Sequence, residues 1–447
     1  MDRIPSEGLG KMRSDVAKAE QRLDSFRTLL GHARERLGLD LGFILWDGST
    51  VPTDLPSEAL AIRIADEGTV AALMRRPNLE TLANLWMTRR IDVRNGTVFD
   101  LARIRPKVRT REFIRTLDKR LLVTTLAKFL LVSRGGPWPL SDRSADSPSD
   151  GSARQNKENI SYHYDVSNAF YSLWLDQEMV YTCAYCTDWN NDIDRMQQDK
   201  LEMICRKLRL RPGERLLDIG CGWGALSCYA ARHYGVHAYA VTLSEQQVAY
   251  GQEKVRRLGL QDRVTIELKD YASVEGAFDK VAAIGIQEHI GIDNYPKYYA
   301  TVRRVLKDDG LFLHHAIVRP AKHDDRRFRR KRPEFALLTK HIFPGGELDH
   351  IGNTVTMLER SGFEVHDVEN WREHYQRTCC LWHDRLLDRY DASVQEIGEV
   401  KTRMWLVYLG LSSIAFERNT AGLFQTLASK RRRGPAGLPP TRADLYR

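Results

Sequence analysis

Apolar residues in the C-terminal two thirds of the chain gather into short runs, with stretches of helical spacing between them. The runs predict strands at 215–219, 237–242, 264–269, 280–286 and 310–317, and the spacing predicts helices at about 225–233, 245–258 and 295–305. Runs that are apolar at nearly every position belong to strands covered on both faces, as in a parallel sheet. Strand and helix alternate, so the predicted class is α/β: a doubly wound, Rossmann-like sheet that takes its ligands beyond the carboxyl ends of its strands.

The N-terminal third has another pattern. Residues 17–37 repeat with helical period, 40–51 read as strand around the turn pair Asp47-Gly48, and 59–65 alternate as a strand. Residues 92–99 read as a hairpin turning at Asn95-Gly96. A helix is predicted over 112–132, with Phe113, Leu117, Leu121 and Leu122 as its apolar residues. Residues 1–133 are thus expected to form a smaller α+β domain preceding the α/β one. From 134 to 158 the composition shifts to Gly, Pro, Ser and Asp, which predicts a flexible linker. The α/β domain is expected over 159–429, followed by a basic tail at 430–447 that opens with Lys430-Arg431-Arg432-Arg433.

Charge narrows the choice of partner. The chain carries 68 Lys and Arg against 59 Asp and Glu over 447 residues, a net charge of +9 with histidine neutral. That balance favours an anionic partner: nucleic acid, acidic lipid or a phosphate-bearing substrate. Two basic runs, 322–332 and the tail, read either as solvated charge or as attraction to an anionic surface. No aromatic-basic platform or helix-turn-helix signal supports nucleic acid. No apolar run reaches the roughly 18–20 residues of a membrane span, and Met1 to Glu7 lack the apolar core of a signal peptide. A cytoplasmic location is therefore expected. Seven cysteines suit a reducing compartment. Cys183 and Cys186 form a Cys-x-x-Cys pair, but no second pair follows at zinc spacing, so no metal site is expected.

The most specific chemistry lies at Leu216-Leu217-Asp218-Ile219-Gly220-Cys221-Gly222-Trp223-Gly224. A predicted strand ends there in an acid and a loop with glycine at every second position. Glycine lets the backbone turn tightly and approach a ligand with no Cβ in the way. The spacing is Gly-x-Gly-x-Gly, not the Gly-x-Gly-x-x-Gly of dinucleotide sites. No Gly-Lys-Ser/Thr follows, which speaks against a nucleoside triphosphate. The loop resembles that with which class I methyltransferases bind S-adenosylmethionine (SAM). A plain glycine turn is the competing reading, but such a turn seldom needs three alternating glycines.

Further motifs follow in order: Tyr162-His163-Tyr164-Asp165, Tyr181-Thr182-Cys183-Ala184-Tyr185, Thr242-Leu243-Ser244-Glu245-Gln246-Gln247, Glu288-His289-Ile290-Gly291, Leu313-His314-His315-Ala316-Ile317 and Phe343-Pro344-Gly345-Gly346. Together with the glycine loop they resemble the cyclopropane-fatty-acid-phospholipid synthase family, which includes the mycolic acid cyclopropane synthases. The resemblance runs from Tyr162 to about Arg418. It implies a class I methyltransferase domain that holds SAM through Tyr181, Thr182, Asp218, Gly220, Cys221, Gly222, Gly224, Thr242, Leu243, Ser244, Gln247, Asp270 and Tyr271. Ser244 and Gln247 also read as a helix capping box, and both readings can hold at once. Tyr271 would stack on the adenine and Asp270 would accept from its amino group.

The implied reaction adds a methylene across a cis double bond of a phospholipid acyl chain. Methylating an isolated alkene leaves a cation on the neighbouring carbon, which needs a negative environment and a base for the new methyl group. The resemblance implies bicarbonate as that base, held by Glu288, His315, Tyr375 and the backbone at Cys183 and Ile317. Cys183 is not expected to act as a nucleophile, since methyl transfer to carbon needs no covalent enzyme intermediate. Three positions depart from the family pattern: Gln287 for a common Phe, Cys186 for an aromatic, and Ser412 for a cysteine. Gln287 and Cys186 leave open a methyl-branched or methylene product. Small-amine N-methylation and a nonenzymatic binding protein on a degenerate fold are further alternatives. The implied partners are unsaturated phospholipids at the inner membrane surface, reached peripherally, and a second copy of the chain through the N-terminal domain.

Overall fold

The computed structural model describes residues 6–104, 118–140, 166–330, 335, 342 and 345–446. The chain divides into two compact units, Met1–Asp142 and Arg143–Arg447.

In the first unit a helix, Ser6–Leu37, accompanies four short strands: β1 Gly42–Ile44, β2 Thr50–Val51, β3 Ala61–Ile64 and β4 Ile91–Arg94. Their order is β2-β1-β3-β4, with β1 and β3 parallel and the outer pairs antiparallel. Phe26, Leu29, Leu45, Val51, Ile64, Val70 and Phe129 form the core. Two expectations fail here. The segment 92–99 is no hairpin. Asn95 adopts φ 57 and donates through Nδ2 to the carbonyls of Ser57 and Ala59 at 2.6 and 3.0 Å. Thr97 and Asp100 then form a capping box that starts a helix, Val98–Arg103. The helix predicted over 112–132 is Lys119–Ala127, begun by Asp118 accepting from the Leu121 amide; Phe113 and Leu117 lie outside the described residues. The predicted linker also begins too early. Leu140 is buried, and its amide donates to Asn84 Oδ1 at 2.8 Å, so 134–140 pack on this unit. Residues 141–158 lie outside the described residues.

The second unit is a seven-stranded sheet: β5 Arg215–Ile219, β6 His237–Thr242, β7 Val264–Leu268, β8 Phe278–Ile284, β9 Leu306–Val318, β10 Phe363–Asn370 and β11 Gly422–Lys430. The order is β10-β11-β9-β8-β5-β6-β7. Strands β5 to β9 pair in parallel, whereas β11 runs antiparallel to both β9 and β10. This is the class I methyltransferase arrangement, as the sequence predicts for its first five strands. The strand order reverses between β5 and β8, the point at whose carboxyl ends open α/β sheets take their ligands. Residues 430–446 of the expected tail return to the unit. Leu445 is 1% exposed, Arg209 pairs with Asp444 at 2.9 Å, and Arg442 pairs with Asp367. No helix among the described residues is long and apolar enough to cross a membrane.

Candidate active site

The three loop glycines all take positive φ, +71 at Gly220, +55 at Gly222 and +81 at Gly224, but for different reasons. A Cβ on Gly220 would stand 1.9 Å from Ile286 Cδ1, and one on Gly224 would stand 2.8 Å from Ile266 Cδ1. A Cβ on Gly222 would meet nothing within 4 Å. Gly220 and Gly224 are thus fixed by packing, and Gly222 borders open space that a ligand can fill. The Gly220 and Cys221 amides donate to the Val241 carbonyl at 2.8 and 3.1 Å, tying the loop to the end of β6. Asp218 is buried and accepts from Ser227 Oγ at 2.8 Å, which ties β5 to the helix Ala225–Tyr234. Burial pushes its carboxyl up to about 6. The Cys221 thiol is also raised by burial.

Beyond β6, Thr242 Oγ1 donates to Gln247 Oε1 at 2.7 Å. Ser244 Oγ accepts from the Gln247 amide at 3.3 Å and caps the helix Glu245–Arg257. The expected capping box is incomplete, because the Ser244 amide donates to Thr242 Oγ1 instead of to Gln247. Leu243 lies half-buried between them. Beyond β7, Asp270 Oδ1 accepts from the Ala272 amide at 2.8 Å and starts the short turn Tyr271–Ser273. The half-buried ring of Tyr271 meets Tyr298 edge-on at 5.4 Å.

The segment Tyr181-Thr182-Cys183 reaches the end of β8, where a Cβ on Gly285 would come 3.0 Å from Thr182 Cγ2. Two buried side chains of the helix Ile193–Lys207 hold Thr182. Lys200 Nζ donates to its hydroxyl at 3.0 Å, and Gln197 Nε2 to its carbonyl at 2.9 Å. Burial lowers the Lys200 ammonium against the opposing pull of Asp176, Cys183 and Asp218. Tyr181 lies among Tyr171, Trp174 and Trp382, with ring centroids at 5.6, 5.3 and 5.3 Å, and donates to Tyr408 OH at 3.2 Å. Cys183 is fully buried, and burial drives its thiol well up. A thiol held protonated is a poor nucleophile.

Glu288, on the short helix Gln287–Ile290 after β8, accepts from the Ile317 amide through Oε1 at 2.6 Å. Its Oε2 is buried without a hydrogen-bond partner among the described residues. Burial pushes the carboxyl up to about 7, against the lowering effect of that amide. The Ile317 N–H, a candidate to hold an anion, is therefore engaged by Glu288. On β9, His315 Nδ1 accepts from Gln425 Nε2 at 3.0 Å, and its ring stands edge-on to Trp371 at 5.6 Å. His315 Nε2 is buried and likewise has no partner among the described residues. Burial, with Lys200, Lys207 and His314 nearby, holds the imidazole well below its usual range. Tyr375, on the helix Arg372–Asp388, stacks on Phe416 at 4.6 Å. Burial raises its hydroxyl, with Cys183 and Glu288 among the nearby charges that add to the effect.

The predicted residues all belong to the carboxyl edge of one sheet or to the aromatic cluster beside it. Tyr162 to Asp165, Phe343 and Pro344 lie outside the described residues. Gln287 has a packing role: Nε2 donates to Tyr295 OH at 2.7 Å and to Thr354 Oγ1 at 3.1 Å. Cys186 lies with its sulfur 3.5 Å from Met196 Sδ, and its amide donates to His374 Nδ1. Sequence reasoning missed Gln197, Lys200, Lys207, Glu369 and Gln425. For the first three a signal existed: Gln197, Lys200 and Lys207 recur at helical spacing on one face with Ile204.

The family model of mycolic acid cyclopropane synthetase matches residues 151–426. A probable fatty acid methyltransferase from Pseudomonas putida is 36% identical over 93% of this chain and 98% of its own length. The cyclopropane-fatty-acyl-phospholipid synthase of Escherichia coli K12 is 37% identical over 60% of this chain and 66% of its own length. Among solved structures, mycolic acid cyclopropane synthase CmaA1 complexed with SAH and CTAB superposes with a TM-score of 0.58 at 29% identity. It covers 61% of this chain and 98% of its own.

Two outcomes follow from the geometry. Gly222→Val should fold, at about 1–2 kcal/mol of backbone strain, yet lose calorimetric SAM binding, whereas Gly220→Ala should destabilise the fold by driving a methyl into Ile286. Unchanged SAM affinity in Gly222→Val would remove the loop from the binding site. The Glu288 carboxyl, raised from 4.5 to about 7, contributes stability that is full below its unfolded value and is lost as pH rises through about 7. Thermal unfolding should show Glu288→Gln gaining on the wild type by on the order of 3 kcal/mol between about pH 4.5 and about pH 8. A pH-independent difference would mean the carboxyl is not desolvated.

Proposed function

We propose, from the premise that this chain belongs to the mycolic acid cyclopropane synthetase family, that it adds a methylene across a cis double bond of a phospholipid acyl chain. It is a SAM-dependent methyltransferase. SAM, when bound, supplies an electrophilic methyl group. The open space at Gly222 fits a ligand that approaches the backbone closely. Gly220, Cys221, Gly222 and Gly224 would carry its methionine end, with Tyr181 and Thr182 closing over it and Asp218 bracing the loop. Thr242, Leu243, Ser244 and Gln247 would serve the ribose, and Asp270 and Tyr271 the adenine.

The observation that carries the proposal is the pair of unsatisfied buried atoms, Glu288 Oε2 and His315 Nε2. A buried polar atom without a partner costs roughly 1–3 kcal/mol, so the pair suits a small guest that both donates and accepts. Bicarbonate fits: its hydroxyl can donate to Glu288, its oxygens can accept from His315, and Tyr375 and the Cys183 backbone complete the set. Bound there, it would supply a base. The Ile317 amide orients Glu288. Fully buried Trp174 and Trp382 exclude water, and the ring faces of such a cluster favour cationic charge.

Lipids from cells expressing the chain test the reaction. A mass gain of one CH2 with cyclopropane proton signals is expected; no mass gain would overturn the proposal. A second reading has one observation in its favour: the Pseudomonas relative that aligns along most of the chain is named a probable fatty acid methyltransferase. The same spectra decide, since a methyl branch gives the mass gain without ring protons.

The net charge of +9 supports peripheral access to an anionic inner membrane surface from the cytoplasm, governed by the N-terminal unit and the basic runs; a homodimer through the N-terminal unit is proposed on the family resemblance alone. Polybasic contacts are worth about 1 kcal/mol per residue near such a surface. Binding to anionic vesicles should weaken steeply with salt. Equal binding to neutral and anionic vesicles at low salt would count against membrane access by charge.

A further inference from the structure

We infer that Lys207, which is not among the residues facing the reacting groups, is a positioning residue that fixes the tautomer of His315 through Gln425. Three strands bring the parts together. In the sheet register Glu369 on β10 stands opposite Gln425 on β11, and Gln425 stands opposite His315 on β9. Residues opposed in this way share a face. Lys207 ends the helix Ile193–Lys207 and lies over that row, 1% exposed. Its ammonium pairs with Glu369, donates to Gln425 Oε1 at 2.7 Å, and stands 5.1 Å from the centre of the Trp371 ring.

The logic is one of donors and acceptors. An ammonium only donates. The amide oxygen of Gln425 must therefore face Lys207, and the NH2 group must face His315. The contact of 3.0 Å from Gln425 Nε2 to His315 Nδ1 is then a donated bond, and Nδ1 must carry a lone pair. In the neutral ring the proton sits on Nε2, the atom that has no partner among the described residues. An imidazolium would set an N–H against the amide NH2 and add a further positive charge near Lys200 and Lys207, beside a His314 that burial also keeps neutral, with Glu369 the acid on the opposite side of Gln425. His315 is thereby a fixed neutral donor and not a proton acceptor. On the reading given above for the reacting site, it orients an oxyanion and leaves proton removal to that anion.

Nitrogen-15 labelling of histidine in the full chain tests this, with His315 assigned by the signal lost in His315→Gln. The expected spectrum shows Nδ1 unprotonated and Nε2 protonated across about pH 6–8. Nδ1–H, or a mixture of the two forms, in the wild type would overturn the inference without any variant having to fold. Gln425→Glu keeps the shape, accepts from both Lys207 and the ring, and should move the proton to Nδ1. Turnover should fall by about a hundredfold or more, with SAM affinity within about twofold. Lys207→Met should free the amide to rotate and give mixed tautomers; a folded Lys207→Met that keeps pure Nε2–H would also overturn the role of Lys207. The expected tautomer together with full turnover in His315→Gln would leave this inference standing and sink the reading of the reacting site instead.

Discussion

Strand β11 is inserted antiparallel between β9 and β10, and its register sets the chemistry of the sheet's carboxyl edge. A one-residue slip would turn Gln425 to the opposite face and leave His315 without a fixed partner. The same strand pair positions Ile317, whose amide holds Glu288. The loop after β8 is tied in by the Gly285 amide, which donates to the His315 carbonyl at 2.8 Å. Glu288 and His315 come from different elements, yet one ladder of backbone pairing fixes both. Packing closes the arrangement, since the aromatic cluster of Tyr171, Trp174, Tyr181, Tyr375 and Trp382 lies on the same side of the unit as Cys183 and Ile317.

Burial then decides what these groups can do. A desolvated carboxyl resists ionisation and a desolvated imidazole resists protonation. Glu288 shifts up and His315 shifts down, so both approach neutrality at the pH where a lone carboxylate and a free histidine would differ in charge. Cys183 follows the same rule: burial keeps its thiol protonated, so it offers no thiolate.

The sequence made the parallel half of the sheet legible because its strands are apolar on both faces and its turns carry glycine. Strands β10 and β11 were not legible for two separate reasons. Phe363–Asn370 is an edge strand, with Glu364, Asp367 and Glu369 interrupting its apolar positions. Gly422–Lys430 is buried, but it buries Gln425, Thr426 and Ser429, and a polar strand in a core does not announce itself by pattern. The placement of the candidate site residues was legible wherever motif and strand end coincide, as at Gly220 to Gly224 and at Glu288. It was illegible at Lys207 and Gln425, where a charge and an amide are buried because Glu369, Lys207, Gln425 and His315 satisfy one another in a row. The Asn95-Gly96 pair misled for the opposite reason: a strong local turn signal lost to the capping box that follows it.

The charges around the site also bear on how an anion could rest beside Glu288. Lys200 has Asp176 and Asp218 as nearby counter-charges, and Lys207 has Glu369. Both ammonium groups are thus largely offset within the protein, and neither is free to neutralise a guest. Among the described residues Glu288 faces backbone amides, chiefly that of Ile317, and no cation, and burial raises its carboxyl to about 7. A second anion brought against it raises that value further, because two like charges in a dry site cannot both stay ionised. Glu288 would then stand protonated beside a bound bicarbonate that keeps its own proton, so that the pair carries one negative charge, while the Nε2–H of His315 would donate from the other side. In that arrangement the guest's charge is met by hydrogen bonds instead of a cation. A lysine aimed directly at the guest would quench its basicity and repel the positive charge that develops on the substrate. Placing Lys207 one residue removed, behind Gln425, keeps its orienting effect and removes its charge from contact.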